Sequence, residues 1–251
     1  MSASENRPRI TIHADAEAAA HAAARVIASL LRERPDARLG LATGGTMIPI
    51  YARLAAIAAA GETRLAQVRS FNLDEYVGLS PDHPQSYRHF MNAHLVGPAG
   101  MDPARMEIPS GIAPDADAEA RRYEAVLAAE GPMDLQLLGL GVNGHIGFNE
   151  PGSSVGSRTR VVTLDERTVQ ANARFFAKDE DVPRKAISMG IATILSARRI
   201  LIVATGAAKA EAVRAMIEGP VGPDCPASFL RCHAAVEMIL DREAASLLQA
   251  G

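Results

Sequence analysis

Apolar positions divide the chain into alternating helices and strands. From Ala16 to Arg34, residues Ala19, Ala23, Val26, Ile27, Leu30 and Leu31 recur at 3.6-residue spacing, which predicts an amphipathic helix. Asp15 stands at its N-cap and Pro35 ends it. A short apolar run follows, Leu39 to Ala42, then Thr43-Gly44-Gly45-Thr46, then a second helical stretch to Ala60 that Gly61 stops. The same order of strand, loop and helix returns without repetition of sequence. Val68 to Leu73 predicts a strand ending at Asp74, Leu135 to Leu140 one ending in Gly141, and Ile200 to Ala204 one ending in Thr205-Gly206. Ala116 to Glu130, Ala207 to Glu218 and Arg242 to Gln249 have helical character. Strands that are apolar throughout belong to a parallel sheet covered on both faces. The pattern therefore predicts an α/β fold of three layers, a mostly parallel, Rossmann-like central sheet between helices. With no fixed-period repeat and no linker, it also predicts a single domain over residues 1–251. Ligands of such sheets bind beyond the carboxyl ends of the strands. Chemistry is expected in the loops Thr43 to Thr46, Asp74 to Gly78, Gly141 to Glu150 and Thr205 to Lys209.

Composition narrows the function classes. With 251 residues, 48% hydrophobic and 22% charged, the chain can bury a sizeable core, which argues against disorder. Aromatic residues are only 4%, with no Trp, and this excludes the base-stacking surfaces of single-strand nucleic-acid binders. A formal net charge of -3 argues against duplex DNA or an anionic membrane as partner. The amino terminus has no apolar signal core, and no run approaches the roughly 20 apolar residues of a membrane span, so a cytoplasmic protein is expected. Cys225 and Cys232 are too few for a disulfide framework and read as free thiols. His83, His89 and His94, six and five apart, lack the spacing of helical metal ligands; no metal is expected.

Within the four loops, a few residues have the right chemistry. Gly44 and Gly45 lie between a strand and a helix, where backbone N–H groups can approach a phosphate; an unliganded tight turn is equally compatible with the pair. Asp74 ends an apolar strand in FNLDEYVGL, which favours a catalytic base over a structural cap. Glu75 beside it points the other way from an extended backbone and is free to make a structural bond. The densest feature is GLGVNGHIGFNEPGS, residues 139–153, which brings His145, Glu150, Asn143 and Asn149 together in a glycine-rich loop. One histidine alone reads as structural, but paired with a carboxylate in such a loop it points to proton exchange near neutral pH. Lys209, expected one turn into a helix, and Arg174, in QANARFFAKDEDVP, are candidate phosphate cations if the glycine loop binds phosphate; surface charge is the ordinary alternative.

Taken together, LATGGTM, FNLDEYVGL, HPQSYRHFM, GLGVNGHIGFNEPGSS, SRTR and ANARFF, in this order along nearly the whole chain, resemble the glucosamine-6-phosphate deaminase family. The related 6-phosphogluconolactonases lack the FNEP continuation and the DEYVGL segment. The resemblance implies a small-molecule amino-sugar phosphate as partner and conversion of glucosamine 6-phosphate and water to fructose 6-phosphate and ammonia, without cofactor or metal. It further implies that His145 opens the ring, that Asp74 carries a proton from C2 to C1, and that Glu150 pairs with His145. Thr43, Gly44, Gly45, Thr46, Arg174 and Lys209 would hold the phosphate, and a segment around 164–187 would form a lid.

Two positions depart from some relatives. Asn143 stands where some members carry Asp; its amide oxygen can orient an imidazole but has no charge with which to stabilise imidazolium. Allosteric, hexameric members use a basic patch near SRTR and a longer carboxyl tail, whereas here Arg160 is retained, the position two further on is Val162 and the chain ends at Gly251. Weak or absent activation by an N-acetylated sugar phosphate is expected. The alternatives are a lactonase or isomerase on the same scaffold, or a non-catalytic sugar-phosphate sensor with no need of Asp74, His145 and Glu150. The sequence leaves open glucosamine against galactosamine 6-phosphate, and monomer against homo-oligomer.

Overall fold

The computed structural model describes residues 6–165, 169–170, 176 and 181–249. Strand β1 (Arg9–His13) leads to helix α1 (Ala16–Glu33), whose N-cap is Asp15, its side chain accepting from Ala18 N at 2.8 Å. Next come β2 (Arg38–Leu41), α2 (Met47–Ala59) and β3 (Arg69–Asn72). These are followed by a short β4 (Asp74–Tyr76), α3 (Tyr87–Met91), a two-residue β5 (Met106–Glu107) and α4 (Ala116–Glu130). The remaining elements are β6 (Leu135–Gly139), β7 (Arg160–Thr163), β8 (Lys185–Ser188), α5 (Ile191–Leu195), β9 (Ile200–Ala204), α6 (Ala210–Glu218) and β10 (Val236–Asp241).

Among the described residues, seven strands form one sheet in the order β1-β10-β9-β6-β2-β3-β5, with every neighbouring pair parallel. All five residues of β9 are buried, and β6 is buried at four of its five positions, as expected for strands with helices over both faces. The alanines of α1 make close approach possible: Ala19, Ala23, Ala24 and Ala28 are fully buried. No helix among the described residues is long and apolar enough to cross a membrane.

The α/β class and the strands after which loops were sought agree with the pattern of apolar runs, with three corrections. First, the chain does not enter a loop at Asp74. At Leu73 it leaves the parallel sheet, the Leu73 N–H donating to Leu41 O at 2.9 Å and the Leu73 carbonyl accepting from Met189 N at 2.8 Å, and then runs on as β4. This strand belongs to a second sheet, β4-β8-β7, antiparallel throughout. Second, residues 242–247 form successive turns rather than a helix, held by Ala245 N to Asp241 O, Ser246 N to Glu243 O and Leu248 N to Ala245 O, two of which span only three residues. Third, Ala207–Lys209 is a tight 3-10 turn preceding α6, so Lys209 sits at the entry of the helix rather than within it.

The chain proceeds outward from β2 to β3 on one side, while β6, β9 and β10 extend the sheet on the other. The strand order therefore reverses between β2 and β6, which opens a crevice at their carboxyl ends. The segment at residues 157–159, which leads into β7 of the second sheet, is tied to the segment after β8, Ser157 accepting from Ile191 N and Ala192 N at 3.0 Å. A Cβ placed on Gly190 would lie 2.2 Å from Ser157 O and 2.5 Å from Arg158 O, so only glycine lets these backbones meet. Gly190→Ala is expected to destabilise the protein by about 2–3 kcal/mol through this backbone overlap, readable as a lowered midpoint in denaturant unfolding. An unchanged midpoint would show that the turn yields without cost.

Candidate active site

The adjacent strands β3, β2, β6 and β9 share one carboxyl edge, from which β3 runs on into β4 and the other three enter loops. The first group is the β6 loop. Gly141 N donates to His145 O at 2.9 Å, folding the loop on itself, and a Cβ on Gly141 would meet the His145 ring within 2.5 Å. Gly144 and Gly147 take positive φ values of 82° and 55°, which side chains rarely adopt, and so turn the backbone on either side of the histidine. Asn143 Oδ1 lies 2.6 Å from His145 Nδ1, Asn143 Nδ2 donates to Glu150 Oε2 at 2.6 Å, and that oxygen is 3.3 Å from His145 Nδ1. Two oxygen acceptors thus face Nδ1 and fix the proton there, leaving Nε2 with an available lone pair. Asn143 forms the bridge between imidazole and carboxylate. In the same loop, Asn149 is fully buried, donating to Ile146 O and Met189 O and accepting from Arg160 Nη1 at 3.0 Å.

Asp74 opens β4 opposite Ser188 of β8. Ser188 Oγ accepts from Phe148 N at 3.2 Å, and a Cβ on Gly147 would lie 3.3 Å from Ser188 Oγ and 3.4 Å from Asp74 Oδ2. The carboxyl of Asp74 is therefore held against the backbone of the histidine loop. It is 6% exposed, and burial, with the neighbouring charge of Glu75 added, pushes its pKa up to about 8. A carboxylate normally four units more acidic is brought into the range where it can both take and return a proton at neutral pH. Tyr76, Tyr87 and Phe148 cluster beside it with ring centroids 4.8 to 6.2 Å apart, Tyr87 and Phe148 stacked and the other two pairs tilted.

At the other end of the crevice, Gly44 and Gly45 are exposed at the start of α2, with Gly44 at φ 106° and open space around both. Thr43 and Thr46 are partly buried beside them. Tyr51 Oη donates to Ala42 O at 2.5 Å and ties the end of β2 to the helix that the loop enters. Lys209 is half-buried, and loss of solvation lowers the pKa of its ammonium. Such a cation is favoured by an anionic neighbour. Arg174 lies outside the described residues, as does part of the segment 164–187.

Several residues that shape the site escaped sequence reasoning. Ser188 and Met189 receive the histidine loop, Asp241 accepts Gly206 N on both carboxylate oxygens at 2.9 and 3.0 Å, and Cys225 packs so tightly on Gly144 that a Cβ there would lie 2.6 Å from its sulfur. No motif marked them, since their partners lie far away in the chain. Among the described residues, no group of three His, Cys, Asp or Glu side chains forms a metal site.

The sequence model of the glucosamine-6-phosphate isomerases and 6-phosphogluconolactonases matches residues 12–239. The chain belongs to that family. A glucosamine-6-phosphate deaminase of Rhodopirellula baltica is 53% identical over 239 residues, 95% of each chain. Glucosamine-6-phosphate deaminase 1 of Bacillus subtilis is 51% identical over 225 residues, covering 90% of this chain and 93% of that one. Among solved structures, a monomeric glucosamine-6-phosphate deaminase superposes with a TM-score of 0.92 at 48% identity, covering 96% of this chain and all of the other. The 6-phosphogluconolactonase of Trypanosoma brucei, at 24% identity and a TM-score of 0.74, shares the family fold.

Because the folded chain holds the Asp74 proton more tightly than the unfolded chain, burial of this group costs stability as pH rises. The cost grows from about pH 4, where the unfolded carboxyl ionises, to about pH 8, where the folded one does, and is constant above. Asp74→Asn, neutral throughout, is expected to gain on the wild type by up to a few kcal/mol over this window. Melting temperatures of both proteins at pH 5, 6.5 and 8 test this; a difference that does not widen with pH would contradict the burial of an ionisable Asp74.

Proposed function

We propose that the protein is a glucosamine-6-phosphate deaminase, converting glucosamine 6-phosphate and water to fructose 6-phosphate and ammonia. The observation that carries this reading is the meeting of two proton-transfer groups of different kinds, an imidazole with one oriented nitrogen and a buried carboxyl near pKa 8, across the backbone of one loop. Relatives bearing that activity, about half identical over nearly the whole chain, support it. His145, through Nε2, moves the proton of the anomeric hydroxyl to the ring oxygen and opens the pyranose. Asp74 then takes the C2 proton of the open-chain aldehyde and delivers it to C1, leaving an imine at C2. Water adds at C2, ammonia departs, and the C2 carbonyl of fructose 6-phosphate remains. Asn143 orients the imidazole through Nδ1, and Glu150 is the carboxylate that faces the same nitrogen during the first step. The Thr43–Thr46 amides, Lys209 and Arg174 bind the phosphate dianion, whose negative charge suits the amino end of α2.

Lactone hydrolysis needs one activated water and gives Asp74 no task. The two unpaired thiols fit a reducing compartment, the cytoplasm. Ammonia release measured against glucosamine and galactosamine 6-phosphate, with fructose 6-phosphate detected by a coupled enzyme, tests the reading. Asp74→Asn is expected to lower the rate by roughly two or more orders of magnitude. A near-normal Asp74→Asn would remove that residue from the reaction, and absence of ammonia from the wild type would refute the activity.

Arg160 is engaged with Asn149, and Val162, two positions further along β7, brings no charge there. We therefore expect hyperbolic rate curves that N-acetylglucosamine 6-phosphate leaves unchanged. A sigmoidal curve that this compound makes hyperbolic would overturn the expectation.

A further inference from the structure

Asp74 has a neighbour to which no role has been given. Glu75 is 2% exposed, and its two oxygens accept three backbone N–H groups: Oε1 from Tyr76 N and Tyr87 N, both at 2.9 Å, and Oε2 from Arg88 N at 3.0 Å. Tyr87 and Arg88 are the first residues of α3. The N–H groups at a helix start have no partner within the helix, and here a strand residue supplies it. Closing this contact brings the segment between β4 and α3 back onto the second sheet. It also seats Tyr87 on Tyr76 and Phe148, the latter in the histidine loop. Side chains of successive strand residues face opposite ways. While Asp74 meets Gly147, Glu75 therefore grips α3 behind it.

We propose that Glu75 is a positioning residue of the reaction: it fixes β4 to α3 so that Asp74 stays against the histidine loop, and its negative charge, held beside Asp74, controls proton transfer there. The inference rests on the reading of Asp74 as the proton-transfer base. The groups near this pair are Asp74 and Tyr76 on β4, Tyr87 and Arg88 on α3, and Tyr123 on α4, whose hydroxyl donates to Asn72 O at 2.8 Å. Burial raises the Glu75 pKa above its ordinary value, while the three N–H groups and Arg88, the single cation of this set, oppose that rise and favour the carboxylate. Ionised Glu75 in turn opposes ionisation of Asp74, so the two carboxyls titrate as a coupled pair.

The test separates clamp from charge. Glu75→Gln keeps an oxygen for Tyr76 N and Tyr87 N but removes the charge. The acid limb of its kcat profile is expected to move to lower pH by roughly half to one unit, with kcat at its plateau within about tenfold of the wild type. Glu75→Ala, which loses the clamp as well, is expected to lose roughly 10- to 100-fold in kcat with a smaller change in KM. A purely structural residue would lower the amount of folded enzyme without moving the acid limb. An acid limb unmoved in an active Glu75→Gln enzyme overturns the proposal. Should the variants not fold, the wild type decides: carbon NMR of the carboxyls is expected to show Glu75 titrating below Asp74, with slow hydrogen exchange at the amides of Tyr87 and Arg88. The reverse order, or fast exchange at both amides, overturns it. A wild type that releases no ammonia would count against the deaminase reading, while the titration order and amide exchange would still decide the pairing of Glu75.

Discussion

A carboxyl group kept out of water at the seam between two sheets is the constraint on which the rest of this structure turns. Ionising Asp74 where it stands is unfavourable because few polar groups compensate it and because Glu75 is adjacent. The fold accepts that cost by anchoring the seam from every side. Leu73 bonds to β2 through its N–H and receives Met189 through its carbonyl; β8 pairs with β4; Glu75 binds α3; and Ser188 receives the histidine loop. Loosening any of these would admit water and return Asp74 toward ordinary acidity.

The histidine loop solves the opposite problem. Its imidazole is partly exposed yet fixed in orientation, and the glycines allow both. They let the chain fold tightly enough that Asn143, His145 and Glu150 form a connected set within a few residues, while Asn149 locks the far end of the loop to Met189 and Arg160. An amide in the bridging position orients the ring without adding a second fixed charge close to it. The carboxylate that can stabilise imidazolium is then Glu150, 3.3 Å from Nδ1.

The crevice is electrically uneven. Acidic groups line the side formed by β4 and the β6 loop, while the amino end of α2 and a half-buried Lys209 mark the other. A ligand with an anionic end and a neutral, hydroxyl-rich end fits that polarity, and a mild overall charge of -3 does not reveal it. Low aromatic content is consistent with a polar sugar in place of a stacked base, and two of the four tyrosines, Tyr76 and Tyr87, pack together at β4.

Much of this was legible in the order of residues. Continuous apolar runs announced parallel strands because a sheet covered on both faces needs them, and the segments beyond their ends held Thr43 to Thr46, Asp74, the residues 143–150 and Lys209, because local periodicity and glycine content are sequence properties. The opposite directions of Asp74 and Glu75 also followed from strand geometry. What the chain order did not contain was the second, antiparallel sheet, the turns after Asp241, or the partners Ser188, Met189 and Cys225. Each depends on contacts between segments tens of residues apart, and their local sequences carry no mark of them. The residue types and their loops were therefore determined by sequence alone, whereas the burial that shifts Asp74, and the helix that Glu75 grips, were decided by tertiary structure. Desolvation and charge coupling are properties of neighbours in space.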